Sequence, residues 1–239
     1  MFEWRSIRMF FGILLCLPLF HLAWLLADEL RAYLDPSPKA WAEEMQAIIR
    51  EDETLALPEN PILVVGGRRV ALWQDLPGML GPHPALLRAL GDAPIEDITH
   101  YYDRLIGYYR PDILVLLPSY ADLHLRDDKR PDDLVAAIRD LVDLNAQHLA
   151  TAMVYVIAPL KMPLHPGDDE RIDAMSAALA AWTARRSGVA LIDANSLLAG
   201  PDGRPDPALY RGDGINLNEA GYLRLAMVLR EALQGTAKA

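Results

Sequence analysis

The stretch Val64-Val65-Gly66-Gly67-Arg68-Arg69 closes an apolar run on two glycines, where enzymes often carry a phosphate cradle or a nucleophile. Neither is spelled here. A dinucleotide loop needs G-x-G-x-x-G, and a Walker loop needs G-x-x-x-x-G-K-S/T. No Ser, Thr or Cys lies between Ile62 and Pro77 to act as nucleophile. The turn offers instead Arg68 and Arg69, whose guanidinium forks suit a carboxylate or a phosphate.

Three further segments carry candidate chemistry. Pro118 to His124 holds Ser119, which a base such as His124 or His165 could activate, and Asp122, which reads as a loop brace. Pro159 to His165 offers Lys161 and His165 as rim residues. Arg211 to Asn218 contains Asp213-Gly214, a turn, and Asn218, a cap for a helix opening at Glu219. A serine hydrolase wants a histidine near Asp213. The chain supplies Asn216, whose amide does not take up a proton. The histidines stand at 21, 83, 100, 124, 148 and 165, with no H-x-x-x-H and no Cys cluster, so no metal site is expected. Nothing in the sequence calls for a cofactor.

Parallel strands must position these loops. Continuous apolar runs at Pro61 to Gly66, Asp112 to Leu117, Ala152 to Ala158 and Val189 to Asp193 read as buried strands. Amphipathic helical stretches at Ile95 to Tyr109, Pro131 to Leu149, Asp168 to Arg186 and Glu219 to Leu233 alternate with them. That alternation predicts an α/β fold, a three-layer α/β/α sandwich about a parallel sheet. The segment 84–90 fits a short strand or a helical turn equally well. In such sheets ligands bind beyond the carboxyl ends of the strands, where all four segments fall.

The chain has 239 residues, room for one substantial core. Its formal charge of -10 repels nucleic acid, so no nucleic-acid role is expected. A single cysteine, Cys16, excludes an intrachain disulfide and reads as a buried, inert thiol.

Residues Met9 to Ala27 form 19 positions without Asp, Glu, Lys or Arg. As a helix they span roughly 28 Å, close to a bilayer's hydrocarbon thickness. Arg5 and Arg8 before the run, and Asp28 and Glu29 after it, orient the N-terminus to the cytoplasm. Trp24-Leu25-Leu26 offers no small-x-small cleavage site, which favours an uncleaved anchor. Pro18 and His21 inside the run are candidates for a contact with a partner helix. The expected organisation is a cytoplasmic tail (1–8), a transmembrane anchor (9–30) and a membrane-proximal helix (31–52). A globular domain (53–234) and a disordered tail (235–239) follow.

Three stretches carry a resemblance: ILVVGG and ALWQDL near the first strand, residues 95–123, and LYRGDGINLNEAGYLRLAMVLREAL over 209–233. They resemble the SGNH/GDSL hydrolases, in particular the bacterial single-domain acylhydrolase branch, over roughly Ala40 to Leu233. The resemblance implies a flavodoxin-like SGNH fold and four site positions. The G-D-S nucleophile turn falls on Gly66-Gly67-Arg68, so arginine replaces serine. The oxyanion glycine falls nearest Gly91. The G-x-N-D block falls on Ser119-Tyr120-Ala121-Asp122, so Ala121 replaces the oxyanion asparagine. The D-x-x-H block falls on Asp213-Gly214-Ile215-Asn216, so Asp213 stays and Asn216 replaces histidine.

Losing nucleophile, oxyanion donor and base together disables the family reaction. The expectation is a pseudoenzyme: a membrane-anchored accessory subunit or binding module in a bacterial inner membrane, with its domain periplasmic. Its partners would be a membrane-protein complex, or a glycan or acyl ligand. The alternative is a cell-envelope esterase or acyltransferase with a rebuilt site. Ligand-binding candidates are Arg68, Arg69, Ser119, Asp122, Lys161 and Asp213. Arg68 has three readings: an ion pair with Asp213 that plugs the cleft, a free guanidinium that reads an anion, and a surface side chain.

Overall fold

In the computed structural model the described residues are 14, 16–27, 37–81, 83–124, 129–149 and 151–236. The chain divides into two compact units, Met1–Ala40 and Trp41–Ala239.

In the first unit residues 16–27 are helical. Leu17, Leu19, Phe20, Leu22, Trp24, Leu25 and Leu26 are all exposed along this helix, and His21 stacks on Trp24 with centroids 6.3 Å apart. Cys16 is exposed too, so the expected burial of its thiol does not occur within the chain. No helix among the described residues is long and apolar enough to cross a membrane. The expected 9–30 anchor lies partly outside the described residues, as does the 1–8 tail.

The second unit is built on a five-stranded, wholly parallel sheet. Its strands are β1 (Ile62–Gly66), β2 (Ala85–Ala89), β3 (Ile113–Leu117), β4 (Met153–Ile157) and β5 (Val189–Ile192), in the order β2-β1-β3-β4-β5. Alternate side chains feed two cores, as the two-residue period of a strand requires. Leu63, Val65, Leu114, Leu116, Val154 and Val156 pack with residues of α1 (Ala42–Asp52), α2 (Ile95–His100), α3 (Pro131–His148) and α4 (Asp169–Thr183). Ile62, Val64, Val115, Leu117, Tyr155 and Ile157 pack with α5 (Glu219–Thr236) and the short helical segments between Arg68 and Met79. The expected three layers are therefore present.

One open choice is decided and three details differ from the sequence reading. Residues 85–89 form strand β2, in register with β1 from Ile62↔Ala85 to Gly66↔Ala89. The expected single helix from Ile95 to Tyr109 breaks into α2, a turn at Tyr102–Leu105 and a 3-10 turn at Gly107–Tyr109. Gly107, a poor helix former, sits in the last of these, and Arg110 then leaves it in the left-handed region at φ 48°. The 31–52 helix is not a separate membrane-proximal element over its second half. Trp41, Met45 and Ile48 are core residues, and the Trp41 indole N–H donates to Asp97 Oδ2 at 2.6 Å. At the C-terminus α5 continues to Thr236, into the expected tail, whose last three residues lie outside the described ones.

A buried polar cluster fastens α1 to the edge strand. Arg88 of β2 donates from Nε to the Tyr109 hydroxyl at 2.6 Å and pairs through Nη2 with Asp52 of α1; the Tyr109 hydroxyl also donates to Asp52. Arg88 and Asp52 side chains are 6% and 8% exposed. Burial, with the Asp52 hydrogen bond, pushes the Tyr109 phenol well above its ordinary range.

Candidate functional site

The strand order reverses between β1 and β3, so their carboxyl ends open the crevice in which ligands of doubly wound sheets bind. The loop leaving β1 begins at Gly67 and turns at once into a helical segment, Arg68–Ala71. Gly67 is boxed in: a Cβ there would lie 2.9 Å from both the Gly91 carbonyl oxygen and Ser119 Oγ. The position that resemblance assigns to the motif's aspartate thus has no room for a side chain.

Arg68 does not meet Asp213. Its Nε donates to Asp92 Oδ2 at 3.0 Å, with the Arg68 side chain 55% exposed and Asp92 11%. Of the three readings of Arg68, the cleft plug with Asp213 fails. Asp92 was not among the sequence candidates, and only the close approach of the β1 and β2 loops, visible in the Gly67–Gly91 packing, brings it there. Glu44 of α1 lies near the oxyanion position: burial raises its carboxyl, against the pull of the Gly91 backbone N–H and of Arg68. Gly91 adopts φ +38°, and a Cβ there would run into the Trp41 ring at 2.1 Å.

Arg69 points inward and is 3% exposed. Its Nη2 donates to the Ile215 carbonyl at 3.0 Å, and its own carbonyl accepts the Tyr222 hydroxyl at 2.8 Å. Burial pulls its guanidinium below the ordinary range, against the pull of Tyr210, Tyr222, Asp92 and Asp213. It is a strut between the β1 loop and the loop before α5, and its buried Nε has no hydrogen-bond partner.

That second loop turns at Gly214, φ +64°, a conformation that favours glycine. Asp213 Oδ1 accepts the backbone N–H groups of Ile215 and Asn216, each at 2.9 Å. Asp213 Oδ2 accepts the Asn216 side-chain amide at 2.7 Å. Burial raises the Asp213 carboxyl, but these three donors and nearby Arg211 outweigh it and hold it below the usual range. The expected Asn218 cap is present, accepting the Gly221 N–H at 3.1 Å.

On the β3 side Ser119 is a structural cap. Its Oγ accepts the Ala121 N–H at 3.1 Å, and Asp122 Oδ2 accepts the Ser119 N–H at 2.9 Å. Asp122, fully buried, also accepts the Ile95 N–H at 3.1 Å and faces Lys129 Nζ at 3.3 Å. Burial pushes its carboxyl up to about 6, against the pull of Lys129 and the two N–H donors. Asp122 is thus the brace that the sequence suggested. Ala121 is buried and brings no donor side chain.

The imidazoles that a rebuilt serine site would need hydrogen-bond elsewhere. His124 Nε2 lies 2.6 Å from Asp168 Oδ2, and His165 Nε2 lies 2.9 Å from the Tyr120 hydroxyl. The two imidazoles stack with centroids 4.4 Å apart. Lys161 stands apart: its Nζ pairs with Asp173 at 2.8 Å, and it lines a cavity of ≈ 480 Å³ with Asp193, Asn195 and Tyr210. The sequence candidates therefore fall into separate groups. Arg69, Asp213 and Asn216 share one loop contact, Ser119 and Asp122 share a cap, and Arg68 and Lys161 have other partners. Tyr120, Asp92 and Asp168 are the residues that sequence reasoning missed. The side chains of His124, His165 and Asp168 also come together, although their spacing in sequence gives no sign of it.

Solved structures match this architecture. A GDSL-like lipase from Bacteroides thetaiotaomicron superposes with a TM-score of 0.67 at 14% identity, covering 80% of this chain and 98% of its own. The chain has the SGNH-hydrolase fold. A Streptococcus pneumonia protein assigned as a platelet activating factor matches with a TM-score of 0.72 at 18% identity, over 87% of this chain and 98% of its own. A carbohydrate esterase family 3 member from Talaromyces cellulolyticus matches with a TM-score of 0.58 at 14% identity, over 76% and 99%. No protein-family profile matches the chain, and no curated protein matches it in sequence.

Proposed function

We propose that this chain is an SGNH-fold protein without serine-hydrolase activity, held at a membrane by its N-terminal segment and acting as a binding or accessory module on the extracytoplasmic side. The observation that carries this reading is the fate of the nucleophile position. Arg68 stands there in an ion pair with Asp92, and the carboxylate that would orient a catalytic imidazole is engaged by the amide of Asn216. Neither group attacks an acyl carbon or accepts a proton at neutral pH.

Anchoring rests on composition and on the helix at 16–27. That helix exposes leucine, phenylalanine and tryptophan side chains along its length, as a lipid-facing segment does, with His21 among them. Relatives in fold include a lipase and a carbohydrate esterase by name, which makes an acyl or glycan group the natural ligand class.

The test is twofold. The purified full-length chain should turn over p-nitrophenyl acetate no faster than buffer, and should fractionate with membranes and resist high-salt extraction. Turnover by the native chain that disappears in Ser119→Ala or His165→Ala would establish the rebuilt esterase instead. Release from membranes by salt alone would remove the anchor.

A further inference from the structure

The loops after β3 and β4 place three metal-ligating side chains together, and nothing in the reading above uses them. His124 follows the capped turn Tyr120–Asp122, and its backbone N–H donates to the Tyr120 carbonyl at 3.1 Å. His165 precedes the 3-10 turn Pro166–Asp168 and Asp168 ends it, with the Asp168 N–H donating to the His165 carbonyl at 3.1 Å. Both ligand-bearing turns are thus fixed by their own backbone hydrogen bonds.

The ligand atoms of His124, His165 and Asp168 all lie within 4.8 Å of one another, and all three residues are half-buried. Arg171 organises the group from outside. Its Nη2 donates to the Leu123 carbonyl at 2.9 Å and to Asp168 Oδ1 at 3.2 Å. That contact ties the two loops together and turns Asp168 Oδ2 towards His124. A carboxylate held through one oxygen, with the other aimed at the ligand position, is the usual support of a metal site.

We infer that His124, His165 and Asp168 form a site for a divalent transition metal of the zinc class. Two imidazoles and one carboxylate are the donor set of three-ligand zinc sites, which leave a fourth position for water or a small anion. Zinc ligands at 2.0–2.1 Å stand roughly 3.3 Å apart in a tetrahedron. Side-chain rotation must bring the more distant ligand atoms, within 4.8 Å, closer to that separation and open the 2.6 Å His124–Asp168 pair to it. His124 Nε2 and Asp168 Oδ2 exchange their shared hydrogen bond for the metal, and the Tyr120 hydroxyl remains beside His165.

The experiment uses the full-length chain in detergent, stripped with chelator and equilibrated with zinc alone. Metal content and affinity are then measured, with cobalt as a spectroscopic substitute. One zinc per chain is expected, together with the visible bands of four-coordinate cobalt. His124→Ala, His165→Gln and Asp168→Asn should each weaken binding at least about 10-fold, while the exposed controls His100→Ala and His148→Ala leave it unchanged. Asp168→Asn keeps the size and shape of the side chain, and circular dichroism checks each fold. A stoichiometry far below one, or zinc binding that survives His165→Gln and Asp168→Asn, overturns the site and leaves a hydrogen-bonded histidine pair. Ester turnover is not read in this experiment, so its outcome is independent of the proposed loss of hydrolysis.

Discussion

Asn216 donates its side-chain amide to Asp213 at 2.7 Å, in the place where the resembling hydrolases carry their Asp–His pair. The loop therefore holds the geometry of a dyad with the proton carrier removed. Asn216→His should fold normally and put an imidazole against the carboxylate. Its pKa should then rise above the ordinary value of about 6.5. A folded-state pKa raised above the unfolded one stabilises fully below the unfolded value, and that gain fades as pH rises through the folded value. The variant should thus gain stability over the native chain near pH 5.5 and lose the gain by pH 8, as read by denaturant midpoints. It should still show no ester turnover, because Arg68 remains.

Gly67 marks the second obstacle to restoring the hydrolase. Gly67→Ala drives a methyl group against the Gly91 carbonyl and Ser119 Oγ, both 2.9 Å from the added carbon. Because one of these is backbone, relaxation is limited, and overpacking of this kind costs about 1–3 kcal/mol. Urea unfolding measures it. Gly67→Asp should be worse than Gly67→Ala, and a stable Gly67→Asp protein would refute the packing argument.

Asp122 predicts a pH dependence of the fold. Burial raises its carboxyl to about 6. Between the unfolded value near 4 and that folded value, the native state holds a proton that the unfolded chain has released. Its contribution to stability therefore falls as pH rises from about 4 to 6. Asp122→Asn should remove this slope. It should also lower stability overall, since an amide has one acceptor oxygen where the carboxylate accepts Ser119 and Ile95 on two. Denaturation series of both proteins across that window decide it.

The Arg88–Asp52–Tyr109 cluster should be among the costliest to break. Asp52→Ala leaves a buried guanidinium without its carboxylate, a change typically worth 3–5 kcal/mol. The thermal midpoint should drop sharply. The double change Asp52→Ala with Arg88→Met should recover part of the loss, because it removes the stranded charge.

Much of this architecture could be read from residue order. Continuous runs such as Ile113–Leu117 have no other stable home than a sheet covered on both faces, and the turn at Asp213-Gly214 is written in residue type. Strand β2 was ambiguous because Leu86, Leu87 and Leu90 satisfy both helical and extended spacing. Pairing with β1 decides the matter, and pairing is not a local property. The partner of Arg68 is hidden for a similar reason. One of its three readings pairs it across the cleft with Asp213, whereas the β2 loop delivers Asp92 from 24 residues away. The histidine cluster left no spacing signal, since its members come from two loops that only the β3–β4 neighbourhood joins.

The tight seat of Gly67 between Gly91 and Ser119 also bears on what this scaffold can become. With the β1 turn filled by backbone and its arginine committed to Asp92, a new reaction on this protein has no foothold at the first strand. Any catalyst built into it would start one or two strands further along, from the turns that carry Tyr120, His124 and His165.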